Sequence, residues 1–315
     1  MLIRKSEESD EAAIRELFAL CFGRQLNHDE WSWKYQGSPW GGTAAVALDG
    51  EKVVAHYGGL KEKFFCRGRA FDVFQPCDVM THPKFRARIF SRRGAMVKAG
   101  EYFYETNPMD FAFGFPSERH AVLGTKQLGY TEHGFVNVLK KKAPRFRQTF
   151  NPFLKIETGW ESISGSEIDL LWEKAKESVG LTIDKNSGYI FWRYRDNPVK
   201  RYLPVIVRSG YAKKLKAFVV CRVRESDLCV LDFFCLKDFG LRNLSDIICD
   251  IARRQKVKSI LLWVNPNEDI SRIFTAAGYV QDKGVPFIFR ILNSEITSSF
   301  LFSSYCYRQG DYDDS

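Results

Sequence analysis

The chain has 315 residues, 45% of them hydrophobic and 27% charged, with a net charge of +9. That length suggests two domains, and that balance excludes wholesale disorder. The longest apolar runs, such as Ser259–Val264, fall far short of the ~18–20 residues a membrane span requires. The opening MLIRKSEESD lacks the apolar stretch of a secretory leader, so the sequence reads as soluble and cytoplasmic, with no membrane attachment. The eight cysteines form no C-x-x-C and lie mostly in apolar runs, which points to buried free thiols. All five histidines precede residue 134 and none forms H-E-x-x-H, so no metal site is expected. The charge excess is local: Lys84, Arg86, Arg88, Arg92, Arg93 and Lys98 occur with no acid between Asp78 and Glu101. Such a cluster suits a phosphate-bearing ligand, and otherwise a solvated helix face.

In chain order, Leu2–Lys5 predicts a strand, and Ile14, Leu17, Phe18 and Cys21 mark one face of a helix. Trp33-Lys34-Tyr35 follows, then Pro39. Ala44–Leu48 and Lys52–Tyr57 form a hairpin around Asp49-Gly50. Phe71–Thr81 is a strand ended by His82-Pro83, with a helix from near Ile89 to Gly100. Phe111–Phe115 is a strand, and Ser117–Leu128 a helix stopped by Gly129.

The same order starts again at Phe153. Leu154–Glu157 is a strand, and Ile168, Leu171, Trp172 and Ala175 mark a helix. Trp192-Arg193-Tyr194 precedes Pro198. Leu203–Arg208 and Leu215–Val223 form a hairpin around Ser209-Gly210, followed by strand Leu228–Leu236. A helix over Leu244–Ile251, a strand Ser259–Val264 and a helix capped by Asn267 and closed by Gly278-Tyr279 complete it. The repeated W-[KR]-Y-x-x-x-P and helix–Gly-Tyr signatures make this an internal duplication, linked near Lys140–Thr149. The expected units are 1–143 and 150–315, each a mixed, mostly antiparallel sheet flanked by helices, an α+β fold. The repeated aromatic motifs read as packing elements. The tail YCYRQGDYDDS reads as solvated.

The unit resembles the GCN5-related N-acetyltransferase (GNAT) superfamily, and the chain a tandem GNAT protein. The residues that carry the likeness are LIRKSEESDEAAIRELFALCF, VVAHYGGLKEKF, CDVMTHPKFRARIFSRRG and FGFPSERHAVLGTKQLGY. The resemblance implies an acyl-CoA site. Val79, Met80 and Thr81 would hold the thioester carbonyl and pantetheine arm, and Arg86, Ala87, Arg88, Ile89 and Phe90 the pyrophosphate at a helix N-terminus. The family's loop glycines are missing here. Thr125 stands where the family places a proton-donating tyrosine, and Glu118 where it places an asparagine. His56 and His82 are candidate bases for the acceptor ammonium, Glu118 a third catalytic candidate, and Tyr57 and Tyr130 alternative proton donors. The second unit's loop, LKDFGLRN, carries Asp238 and a single arginine, so one acyl-CoA, in the first unit, is expected.

The function implied is acyl-CoA-dependent N-acyl transfer, with acetyl-CoA or another acyl-CoA as donor and a small-molecule or peptide amine as acceptor. Two alternatives keep the fold: a Fem-type transferase using aminoacyl-tRNA, the one reading with a nucleic-acid partner, and a degenerate, non-catalytic binding module.

Overall fold

The computed structural model describes residues 1–88, 94–145, 153–211 and 213–313, with the side chains of Ala87, Arg88, Glu132 and His133 outside that description. The first half runs β1 (Leu2–Lys5), α1 (Glu11–Phe22), α2 (His28–Tyr35), β2 (Gly42–Asp49), β3 (Lys52–Cys66), β4 (Arg69–Thr81), α3 (Ala95–Thr106), β5 (Phe111–Gly114), α4 (Glu118–Gln127), β6 (Thr131–Phe135) and β7 (Val138–Lys142). The second runs β8 (Leu154–Thr158), α5 (Gly165–Ala175), β9 (Thr182–Ile183), α6 (Ser187–Ile190), β10 (Leu203–Ser209), β11 (Leu215–Arg224), β12 (Asp227–Cys235), α7 (Leu241–Arg254), β13 (Ser259–Trp263), α8 (Asp269–Ala276), β14 (Val280–Asp282), β15 (Pro286–Ile291) and α9 (Ser298–Ser304).

Local chemistry accounts for these limits. Helix α1 buries Ile14, Leu17 and Phe18 and stops at Gly23, whose φ of 72° an L side chain resists. Helix α3 starts at Ala95, later than the expected Ile89; residues Ile89–Arg93 lie outside the described part. Helix α8 is capped by Glu268 rather than Asn267. Asn265 takes over the turn there, its side chain accepting from the Asn267 N–H (2.9 Å).

Among the described residues the strands form two sheets. One is ordered β1-β2-β3-β4-β5-β15-β6, with β9 paired to β3; the other is β14-β7-β13-β12-β11-β10-β8. Both are antiparallel except for one parallel neighbour pair, β4 with β5 and β12 with β13. The two orders match strand for strand, but the closing strands are exchanged. Strand β7, from the first half, lies between β13 and β14, and β15, from the second, between β5 and β6. The sheets therefore do not divide where the chain does at 143/150. Each exchanged strand hydrogen-bonds on both edges, so neither sheet is complete without the other half of the chain.

The aromatic motifs meet across the resulting joint. Trp33 and Trp192 stack with ring centroids 5.1 Å apart, and each indole N–H donates to the other's backbone carbonyl at 2.7 Å. Phe115 and Trp263, just beyond and at the end of β5 and β13, also touch edge to face at 5.4 Å.

The C-terminal segment is not solvated as expected. Tyr305 is 0% and Asp311 1% exposed. Its tyrosines supply apolar surface, and its charges find partners inside. Asp311 accepts from the Tyr305 hydroxyl (3.0 Å) and the Arg308 N–H (2.9 Å) and faces the Lys185 ammonium at 3.3 Å, while Arg308 forms a fork with Glu268. The segment is a wedge between the two sheets.

Candidate functional site

The site begins where β4 and β5 separate. They pair only at Val73–Phe111 and Phe74–Ala112. Two residues on stands Pro76, which has no N–H to continue a ladder. At Asp78 the strand bulges: Asp78 has φ 49°, and the register against β3 shifts between His56 and Gly58. The gap holds a cavity of about 390 Å³, walled by Gln75–Val79 of β4, Gly114 and Phe115, and Leu123 and Leu128 of α4 and its end. A second cavity of about 200 Å³ adjoins it, walled by Val79, Met80, Thr81, Arg86, Arg119 and His120. The two share Phe22, Val79, Met96 and His120, so they form one run from Arg86 inward to Tyr57.

The structure thus brings Val79, Met80, Thr81 and Arg86 together. Arg86 Nε donates to the Thr81 carbonyl (2.9 Å), which holds the arginine across the strand end. Ala87 and Arg88 continue the turn Pro83–Arg88 in backbone, but their side chains, and Ile89 and Phe90 entirely, lie outside the described residues.

The candidate bases stand apart from this run. His56 is fully buried; its Nδ1–H donates to the Asp78 carbonyl (2.8 Å), and its Nε2 has no partner. Burial lowers its pKa, so it packs under the bulge as a neutral ring. His82 follows β4; its Nδ1 accepts from the Lys84 N–H (3.3 Å), and desolvation with Lys52, Lys84 and Arg86 lowers its pKa. Glu118 is exposed and lies 3.8 Å from Lys283. None of the three lines either cavity. Thr125 turns back to the Val122 carbonyl (3.0 Å).

Of the groups that line the run, sequence reasoning named Tyr57 and Tyr130 but missed His120, Arg119, Asp78 and Asp313. His120 lies in both cavities, with Nδ1 3.2 Å from the Ser117 hydroxyl, and burial with Arg119 and Arg86 lowers its pKa. Arg119 beside it adds a cation at the start of α4. The basic pair Arg119-His120 after Pro116-Ser117 was the available signal. Asp78 accepts from Lys34 Nζ (2.9 Å) and the Tyr35 hydroxyl (2.7 Å), and Asp313 accepts from the same Lys34 (2.6 Å). Burial works against the Lys34 ammonium, but Asp313 and Asp78 outweigh it and raise its pKa. At the inner end, the hydroxyls of Tyr57, Tyr104 and Tyr130 form one hydrogen-bonded cluster, with Tyr57 2.8 Å from Tyr104 and 3.3 Å from Tyr130. Burial raises the pKa of Tyr57, so these are neutral donors.

A third cavity, of about 290 Å³, lies at the joint between the halves. Tyr312 and Asp313 wall both this cavity and the one of about 390 Å³ beside β4.

The strand β4, the basic turn after it and the helix beyond are the order that the family resemblance implies. Residues 2–132 match the sequence profile of the acetyltransferase (GNAT) domain. The second sheet repeats the strand order of the sheet that holds most of this matched part. No curated protein matches it at a significant level. Among solved structures it is similar to a probable N-acyltransferase of Enterococcus faecalis V583, with a TM-score of 0.71 and 12% identity over 93% of this chain and 73% of that one. A GCN5-related N-acetyltransferase of Anabaena variabilis gives 0.67 and 12%, over 92% and 73%. The N-myristoyltransferase of Saccharomyces cerevisiae, solved with bound myristoyl-CoA, gives 0.58 and 9%, over 92% and 80%. At these identities the likeness is one of fold. Among the described residues, no helix is long and apolar enough to cross a membrane.

Proposed function

We propose that the protein is an acyl-CoA-dependent N-acyltransferase, with the donor in the first unit. The observation that carries this is the continuous run from Arg86 to Tyr57 along the edge of β4 that β5 leaves unpaired. An open strand edge offers N–H and C=O groups to an extended amide-bearing arm, as the pantetheine arm is. Arg86 and Arg119 stand at one end, where phosphates are attracted. A thioester carbonyl beside Val79–Thr81 would be polarised by fixed backbone donors, and the acceptor nitrogen would attack it directly. The N–C bond forms, the C–S bond breaks, and the amine proton leaves as the thiolate is protonated. Asp78, Asp313 and His120 are the carboxylates and the imidazole that line the run. His120 is the one of the three not tied up by Lys34.

Calorimetry with acetyl-CoA tests this. One CoA per chain is expected, and Arg86→Ala should weaken it by about 1.5–3 kcal/mol, the range for a hydrogen bond to a charged group. Two CoA per chain, or unchanged affinity in the variant, would refute the assignment. Thiol release over a panel of amines and of acyl-CoA chain lengths then identifies acceptor and acyl group.

A further inference from the structure

The cavity at the joint differs in character from the donor run. Lys34, Arg193, Lys200, Arg222 and Arg224 line it, against only Glu30 and Asp313. Glu30 is already held by Arg24 (2.8 Å). Lys34 is engaged by Asp78 and Asp313, and Arg193 donates to the carbonyls of Gly310 (3.2 Å) and Tyr312 (2.7 Å). These inner cations are structural. The other three, Lys200, Arg222 and Arg224, stand toward the second sheet's side, Arg222 and Lys200 half-buried and Arg224 exposed. They too have partners within the protein, so an incoming anion would exchange with a partner rather than fill a vacancy. Trp33, Tyr202 and Trp263 supply apolar walls.

Position adds the second argument. This cavity and the donor run meet at Tyr312 and Asp313, which line both. A molecule seated here lies beside the place where the donor's reactive end would sit. The carboxylate of Asp313 stands on the shared wall, and the arginines of β11 stand on another. An ammonium at the first and an anion at the second satisfy both ends of one small molecule.

We propose that the cavity at the joint is the acceptor site, and that it selects amines carrying a second, anionic group, a carboxylate or a phosphate. This rests on the donor assignment above and goes beyond it by naming the acceptor's chemical class. The arginines act by attraction and orientation, and take no part in bond making. A neutral or purely cationic amine makes no ion pair with them and gains nothing from their charge.

Matched amines test it: tyrosine against tyramine for a carboxylate, phosphoethanolamine against ethanolamine for a phosphate. The readouts are thiol release from acetyl-CoA and, separately, equilibrium binding by calorimetry. The anionic member of at least one pair should be favoured by about tenfold, the scale of one charged hydrogen bond. Which pair shows it identifies the anion. The double variant Arg222→Gln with Arg224→Gln should erase that preference and leave CoA affinity unchanged. Equal or reversed preference in both pairs, or a preference that survives in the double variant, would overturn the proposal. If the chain binds no CoA and releases no thiol, the donor assignment fails; the binding preference between paired amines still decides the cavity on its own.

Discussion

The two halves use the same frame and finish it differently. In the first, Tyr35 of the W-K-Y motif donates to Asp78 on β4; in the second, Tyr194 of W-R-Y donates to Asp232 on β12 (3.1 Å). That equivalence sets the rest in register. Asp78 is paired with Lys34 from the motif itself, whereas Asp232 takes Lys185 (2.7 Å), and Arg193 is turned toward the C-terminal wedge. Strands β4 and β5 part after Phe74, but β12 stays paired with β13 through Val230, the residue equivalent to Pro76. On the neighbouring strand, Glu62 opposes Val73 where Arg224 opposes Asp227. The first unit therefore opens earlier and buries an acid; the second stays zipped and places an arginine beside the joint cavity. One repeated sheet becomes an open cleft in one copy and a wall in the other through a few substitutions at fixed register.

The largest effect should come from what the halves share. Trp33→Ala removes a stacked, half-buried indole and leaves the Trp192 carbonyl without the Trp33 indole N–H, so it should cost about 3 kcal/mol, the low end of the range for deleting a large aromatic. Because β7 and β15 are exchanged, urea unfolding should remain a single transition at lower denaturant, followed equally by probes in either half. Two separated transitions would show that the halves fold independently and that the exchange couples nothing.

Next is the buried acid. Glu62 is 2% exposed with one carboxylate oxygen unpartnered. Burial pushes its pKa up to about 8, with Asp311 and Asp313 adding to the rise and Arg193 and Lys185 opposing it. The folded state thus holds a proton that the unfolded chain releases near its ordinary value of 4.5. Between those values the folded state binds more protons, so stability falls as pH rises from about 4.5 to about 8. Glu62→Gln should remove that part of the slope and raise stability at pH 8 by roughly a few kcal/mol, with little change at pH 4. Thermal melts of both proteins across that range check it. An unchanged pH slope in the variant would show that Glu62 is ionised and paired in the folded protein.

Much of this comparison was legible in the sequence, because hydrophobic period and turn residues are local signals. The two W-[KR]-Y motifs, the Gly-Tyr helix stops and the order of strands and helices announced the duplication. The strand exchange was not legible. Alternation in Val138–Lys142 or Pro286–Ile291 says that a strand forms and which face it buries, but not which edge it joins. The basic turn was read and Arg86 is in the cavity, yet His56 misled: a histidine on a strand beside the cleft can face either side, and this one faces the core. The wedge was misread from its acids, since composition does not show that Lys185 and Tyr305 await Asp311. Pro76, which ends the β4–β5 ladder, was in view and passed over.

That proline gives the smallest and most specific test. Strand β12 shows what the frame does with Val230 at the equivalent place: the parallel ladder runs on through four residue pairs. In β4 only two pairs form before Pro76. Pro76→Val restores an N–H, and the geometry of the sister unit shows that β4 and β5 can approach there. If the proline is what keeps the edge open, the variant should gain stability of about 0.5–1.5 kcal/mol from the added hydrogen bond. Its CoA affinity should fall by a similar amount, because the added pairing competes with the arm for the same strand edge. Protection of the amide at position 76 against hydrogen exchange reports the closure directly. A protected amide with unchanged CoA affinity would mean that the donor lies elsewhere in the cleft. An unprotected amide with weaker binding would mean that proline acts on the arm by contact rather than by holding the strands apart. The bulge at Asp78 is the remaining cause of separation. Because Lys34 and Tyr35 both pin it, opening persists in part even when the proline is gone, which is why the expected change is small.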